Sequence, residues 1–256
     1  MPAFSEFKKT QRVKLLIAAD SGSGKTGCLA SLANAGYRLR IIDLEDNLNV
    51  LNSYLTEEGI KNVHWITIDP EDPKAAQGIQ ALTRHWKIGA EDLGKTSSWT
   101  NKDVLVIDSA TRLGDACLAA TKPANSDGRT HYISAGQEFD EIMDYILGPA
   151  LNCNIVVTAH LRYKEVVQNP GPGQDPAKMP KLFRIYPTCL GDTMTTRFSR
   201  GFTDVFGIEV SSMGNKVTRH FRTDADSMMG MKSSAPSVLK LKEDFDLGAI
   251  FNKLLA

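Results

Sequence analysis

The sequence predicts an α/β protein with a mainly parallel sheet between helices, followed by an antiparallel C-terminal extension. Three observations carry this. Short, continuously apolar runs recur at 13–18, 39–43, 63–68, 104–108 and 155–158, as expected of strands buried on both faces. Segments of helical composition separate them, the alternation of parallel strands joined by crossover helices. After residue 161 the pattern changes, and 203–210 and 216–222 flank Ser-Ser-Met-Gly-Asn as the two arms of an antiparallel hairpin.

Taken in order, Val13–Ala18 is a strand ending at a Gly/Ser-rich turn, with a helix expected over 25–35 and stopped by Gly36. Leu39–Asp43 is a strand, followed by a helix to about residue 58 closed by Gly59. Val63–Ile68 is a third strand, and Pro70 and Pro73 lead into a helix over 74–87. The stretch 89–101 is polar and Gly/Ser/Thr-rich, hence a loop. Val104–Asp108 is the clearest strand. Helices are expected at 110–121 and 136–151, separated by a polar loop over 122–132, before a strand over 155–158. Beyond the hairpin, 223–236 reads as loop, 237–242 as an edge strand and 245–255 as a closing helix. The whole of 1–256 reads as a single domain, with a core over about 13–160 and an extension over about 161–256.

Composition narrows the function classes. The 256 residues are 42% hydrophobic and 23% charged, ordinary for a globular protein. Thirty basic and thirty acidic side chains cancel, so nucleic-acid contact would need a local basic patch. Cys28, Cys117, Cys153 and Cys189 are too widely spaced for a metal cluster or a disulfide framework. The first fifteen residues lack a signal-peptide apolar core, and no apolar run reaches a membrane span. The expectation is a cytoplasmic protein with no membrane association.

The strongest chemical signal is Ala19-Asp20-Ser21-Gly22-Ser23-Gly24-Lys25-Thr26, followed by Gly27. It fits the P-loop pattern, with Ala in place of the first Gly, between a predicted strand and a predicted helix. Gly22 and Gly24 let backbone N–H groups turn inward around phosphates, and a helix starting near Lys25 would add its positive end. Lys25 would reach the β- and γ-phosphates of ATP, and Thr26 would offer its hydroxyl to Mg²⁺. Asp108 closes an apolar strand where a second magnesium-holding group is expected, although a strand-end Asp also caps following helices.

Hydrolysis needs a group that positions water, usually a carboxylate. Glu45 lies just past the second strand, with Asp43 and Asp46 as neighbouring alternatives or simple helix-start acids. His160 stands just past the 155–158 strand, where it would sense the γ-phosphate or be an ordinary strand-end histidine.

The ordered set of P-loop, Ile-Ile-Asp-Leu-Glu-Asp-Asn, Val-Leu-Val-Ile-Asp-Ser and Val-Val-Thr-Ala-His resembles the RecA-type ATPase core. It looks most like the compact phage-encoded members that act in single-strand annealing and recombination. The resemblance implies a RecA-like P-loop NTPase core, ATP and Mg²⁺ as ligands, and a DNA-stimulated ATPase. It places Glu45 as the water-activating acid, Asp108 as the magnesium aspartate and His160 as the sensor. It also implies a homo-oligomeric ring or filament in a bacterial host cytoplasm, with a single-strand binding protein as a candidate partner.

In RecA-like proteins, loops after the Asp-bearing strand and after the sensor strand contact single-stranded DNA. The matching stretches are 122–134 and 161–187. The second carries Arg162, Tyr163, Lys164, Lys181, Phe183 and Arg184, the cations and aromatics that a single-strand groove uses. Arg197 and Arg200 are candidates to reach a neighbouring subunit's γ-phosphate, with Lys216, Arg219 and Lys232 as competitors. Residues 2–10, with Phe4 and Phe7, are a candidate docking segment. Two other readings fit the motifs: a nucleoside or nucleotide kinase, and a nucleotide-gated adaptor without useful turnover.

Overall fold

A computed structural model describes residues 12–121, 128–166, 181–214, 216–224 and 228–256. Eight strands form one sheet in the order β12-β11-β10-β1-β7-β6-β2-β3. They are β1 (Lys14–Ala18), β2 (Arg38–Asp43), β3 (Val63–Thr67), β6 (Asp103–Asp108), β7 (Asn154–Ala159), β10 (Asp204–Met213), β11 (Lys216–Arg222) and β12 (Lys242–Asp244). From β10 to β3 every neighbouring pair is parallel, whereas β11 and β12 are added antiparallel. The parallel sheet and antiparallel C-terminal strands expected from the sequence are therefore both present.

Side chains alternate across the sheet because a strand's period is two. Leu16, Leu105, Ile107, Ile155 and Val157 enter one apolar layer. That layer is closed by α3 (Ala75–Arg84), α4 (Ala110–Thr121) and α5 (Gly128–Leu147). Leu15, Ile17, Val104, Val106 and Val156 enter the other, under α1 (Leu29–Asn34) and α7 (Leu247–Leu255). The buried positions of α5, Ala135, Phe139, Ile142, Met143 and Ile146, recur at helical spacing and lie against the sheet.

Several boundaries differ from the sequence reading. The first helix is regular only from Leu29, because its opening turns close through i→i+3 bonds such as Leu29 N–H to Thr26 O. No regular helix runs to residue 58. Asn-rich 48–53 forms a 3₁₀ turn, and α2 (Glu57–Ile60) is a short helix whose Thr56 hydroxyl accepts from Gly59 N–H. The helix expected to 87 stops at Arg84, and the 89–101 loop holds a strand. β4 (His85–Ile88) and β5 (Glu91–Lys95) form a separate hairpin, with Gly89 and Gly94 at positive φ and Trp86 buried beside Trp99. Helix α5 begins at Gly128, inside the stretch read as loop, and ends at Leu147. The edge strand falls at 242–244 instead of 237–242.

The largest revision concerns 161–187. Its ends are paired strands, β8 (Leu161–Val166) and β9 (Leu182–Pro187), forming an antiparallel ribbon outside the main sheet. Of the stretches read as DNA-contacting loops, 167–180 and 122–127 lie outside the described residues, as does the candidate docking segment 2–10. Among the described residues no helix is long and apolar enough to cross a membrane.

Candidate active site

β1, β2, β6 and β7 are parallel neighbours, so their carboxyl ends deliver their following residues to one edge of the sheet. At β1 the backbone continues one residue, Ala19 N–H pairing with Ala159 O at 3.1 Å, and then leaves the sheet. This explains why an alanine suffices where the P-loop pattern has glycine: the residue is still in strand pairing. Gly22 (φ 74°) and Gly24 (φ 104°) take conformations that favour glycine.

The backbone N–H groups of Gly22, Gly24, Lys25, Thr26 and Gly27 donate to no acceptor among the described residues. The buried Ser23 hydroxyl is likewise without a hydrogen-bond partner. Buried donors are ordinarily satisfied, so open amides at the buried Lys25, Thr26 and Gly27, continued by the exposed Gly22 and half-buried Gly24, describe an anion nest. Its N–H groups belong to a turn, since the regular helix starts only at Leu29.

Lys25 is buried, and its Nζ donates to the carbonyls of Ala19 (3.0 Å) and Asp20 (2.9 Å). Desolvation lowers its pKa, while Asp108, Glu45 and Asp20 act in the opposite direction. Thr26 Oγ1 donates to Asp108 Oδ2 at 2.6 Å, and Thr158 donates to the other oxygen. Burial raises the Asp108 pKa against those two hydroxyls.

Glu45 is separated from its acidic neighbours by their contacts. Asp43 is buried and occupied locally, accepting from Glu45 N–H at 3.0 Å and from the Thr67 hydroxyl at 3.2 Å. Asp43 and Asp46 line a different cavity, against Trp65 and Leu55. Glu45 Oε1 instead accepts from the Ser109 hydroxyl and lies 3.1 Å from His160 Nε2. The histidine bond, ahead of the opposing desolvation, lowers the Glu45 pKa and keeps it ionised.

With Nε2–H donating to Glu45, His160 Nδ1 faces Lys25 Nζ at 3.5 Å, the long limit of a hydrogen bond. The His160 N–H donates to Thr111 Oγ1 at 3.1 Å, which fixes the end of β7 against the start of α4. Lys25, His160, Glu45 and Ser109 thus form one chain across the site.

One pocket gathers Ser21, Gly22, Gly24, Lys25, Thr26, Gly27, Glu45, Asp108 and His160. Its walls add Asn47, Val50, Tyr54, Arg219 and Phe245, of which the sequence marks Asn47, as the end of the Glu45 motif, and Arg219. Tyr54 covers Gly27 so closely that a Cβ there would lie 3.1 Å from the ring. No local motif marks Tyr54 or Phe245, since they reach the pocket through the fold.

These donors fit a magnesium nucleoside triphosphate: open amides and Lys25 for phosphates, and Thr26 with Asp108 for the cation. Among the described residues no cluster of three or more His, Cys, Asp or Glu could hold a metal alone. Mg²⁺ ordinarily takes one or two protein groups plus phosphate oxygens, the number that Thr26 and Asp108 would supply.

Other candidates lie elsewhere. Asp20 is exposed and accepts from the Tyr163 hydroxyl at 2.9 Å. Pairing on the β8–β9 ribbon puts Arg162, Lys164, Arg184 and Tyr186 on one face, and Tyr163, Glu165, Phe183 and Ile185 on the other. Arg162 and Lys164 share Asp192 at 2.6 and 3.6 Å, and Lys181 pairs with Glu165. Arg197 is bonded to Asp140 at 2.6 Å, and the Arg200 carbonyl accepts from Lys232. Neither arginine lines the pocket.

Of the comparisons with known proteins, the family match agrees with a nucleotide-binding P-loop domain. No curated protein sequence matches the chain. Among solved structures, the flagellar accessory protein FlaH from Methanocaldococcus jannaschii is similar at 11% identity. That match covers 90% of this chain and 84% of that one, with a TM-score of 0.46. A KaiC-like protein from Pyrococcus horikoshii is similar at 11% identity, covering 84% and 79%, with a TM-score of 0.39. Residues 11–183 match the model of the family described as AAA domain. The match spans more than half of the chain, and the protein belongs to that family.

Proposed function

We propose that the protein is a RecA-type ATPase that hydrolyses Mg²⁺-ATP in this pocket and couples turnover to single-stranded DNA, in annealing or recombination. The observation that carries the reading is the contact between Glu45 and His160. The group suited to orient water is bonded to His160, the residue just before the β8–β9 ribbon, so a displacement of the ribbon would be felt at that carboxylate.

In this reading Lys25 and the turn amides hold the phosphate chain. The bound magnesium ion supplies neutralisation of phosphate charge. Thr26 and Asp108 would hold that ion. Glu45, kept ionised by His160 and Ser109, orients the attacking water and takes up its proton. The Tyr163–Asp20 bond ties the ribbon to the phosphate loop itself, a second route by which DNA on the ribbon would reach the site. The ribbon face that carries Arg162, Lys164, Arg184 and Tyr186 would meet the strand, its cations at the phosphates and Tyr186 against a base. Assembly into a ring or filament on the strand is part of the same proposal, as is a phage source.

Phosphate release by the wild type and Glu45→Gln, with and without single-stranded DNA, tests the proposal. Expected are stimulation of the wild type by DNA and retained ATP binding with about 10²–10⁴-fold slower turnover in the variant. Wild-type turnover only with a nucleoside acceptor would establish a kinase instead. Tight ATP binding without turnover would establish a nucleotide-gated adaptor.

A further inference from the structure

We propose that Arg219 binds the phosphates of the nucleotide held by its own chain's P-loop, a phosphate ligand acting in cis. The inference rests on the ATP-binding reading and extends it to the C-terminal strands.

Arg219 lies on β11, two strands from β1 across β10. Its side chain crosses that interval to the mouth of the phosphate pocket. There its Nε–H donates to Ser23 O at 2.9 Å, inside the P-loop. Its Cδ and Nε stand 3.1 Å from where a Cβ on Gly24 would be, so the stem is packed against the loop. This contact fixes the guanidinium and leaves both terminal nitrogens without a protein partner.

The absence of an acid is the second observation. Arg38, Arg40, Arg112, Arg162 and Arg197 each pair with a carboxylate, and the described arginines without such a pair, Arg12, Arg84, Arg184 and Arg200, lie outside the pocket that Arg219 lines. Arg219 is half-buried and makes no ion pair among the described residues, although Glu45 and Asp108 line the same pocket. A fixed cation with free donors, beside a nest of open amides, is matched by a polyanion. Guanidinium suits phosphate because its planar donors engage two oxygens at once. The Ser23 carbonyl aims it, so the loop that holds the phosphates also positions the arginine.

The position separates Arg219 from the cations that would serve a neighbouring subunit. It already touches the loop of its own chain, whereas Arg197 is engaged by Asp140 on α5. The antiparallel extension therefore completes the site from within the chain.

Mg²⁺-ATP affinity is measured for the wild type, Arg219→Ala and Arg219→Gln, the last keeping the stem and a donor for Ser23. Turnover is then measured for an equimolar mixture of Arg219→Ala and Lys25→Ala chains. The expected result is about 10- to 100-fold weaker binding in both Arg219 variants, the range of one or two charged hydrogen bonds. The mixture should show no recovery, because neither chain carries both Lys25 and Arg219. Unchanged affinity in Arg219→Gln overturns the proposal, and recovery in the mixture overturns its cis character. Failure of the wild type to bind Mg²⁺-ATP would instead overturn the ATP-binding reading on which it rests.

Discussion

At the residue scale, Glu45 and His160 form the most informative pair. A carboxylate whose folded pKa lies below its unfolded value of 4.5 contributes stability above that value and loses it as pH falls through the folded pKa. In the proposed mechanism the same shift would set the acid limb of turnover, because only an ionised Glu45 would orient water and take up its proton. Its main cause is the His160 hydrogen bond, and desolvation opposes it. His160→Ala should therefore move the acid limb of the kcat profile to higher pH, and His160→Gln, which keeps a donor, should move it less. A pH–rate profile decides, and an unmoved limb in the alanine variant would remove His160 from the control of Glu45. The identity of Glu45, in preference to Asp43 or Asp46, as the acid lining the pocket is a tertiary fact. Asp43 is turned into the chain by Glu45 N–H and Thr67, contacts no spacing rule specifies.

At the element scale, local chemistry sets some boundaries and tertiary packing sets others. Helix α7 starts at Leu247, two residues past the expected 245, because Asp246 caps it by accepting from Ala249 N–H at 3.0 Å. Asp246→Ala should cost about 1 kcal/mol of stability. For a chain of this size that lowers the melting temperature by about 2–4 °C, and calorimetry against the wild type checks it. An unaltered melting temperature would mean that packing alone holds the helix, through Leu247, Ile250, Phe251 and Leu254. The β4–β5 hairpin shows the opposite case. Its polar, glycine-containing sequence carries a loop signature, yet Trp86 is wholly buried against Trp99 and the Thr96 hydroxyl donates to Thr83 O at 2.6 Å. The β8–β9 ribbon is similar, since strand pairing sets Arg162, Lys164, Arg184 and Tyr186 on one face and Tyr163 and Phe183 on the other, a division the linear sequence does not show.

At the scale of the whole molecule, stability is unequal. β6 and β7 lie inside the sheet with both apolar layers upon them, whereas the two ribbons are two-stranded and outside it. Isolated two-stranded ribbons are marginal, and regions with few buried contacts open locally. Amides of β8 and β9 should exchange with solvent at least ~10-fold faster than those of β6 and β7, which need global opening. Hydrogen-exchange mass spectrometry measures this, and slowing of β8–β9 on addition of single-stranded DNA would support the ribbon as its binding site. Equal protection of ribbon and central strands would contradict a movable ribbon coupled to Glu45.

The sequence by itself determined the buried strands, the parallel sheet, the antiparallel C-terminal hairpin and the phosphate loop. These depend on short-range signals: apolar runs, glycines at a turn, and a lysine and threonine at fixed offsets. It also placed Glu45, Asp108 and His160 at strand ends, because parallel strands share one carboxyl edge. Only the tertiary structure decided what surrounds them. Tyr54, Phe245 and Arg219 reach the pocket from segments far apart in the chain, and Arg219 meets Ser23 across 196 residues. Such contacts follow from strand order and register, which bring together side chains that no local pattern connects.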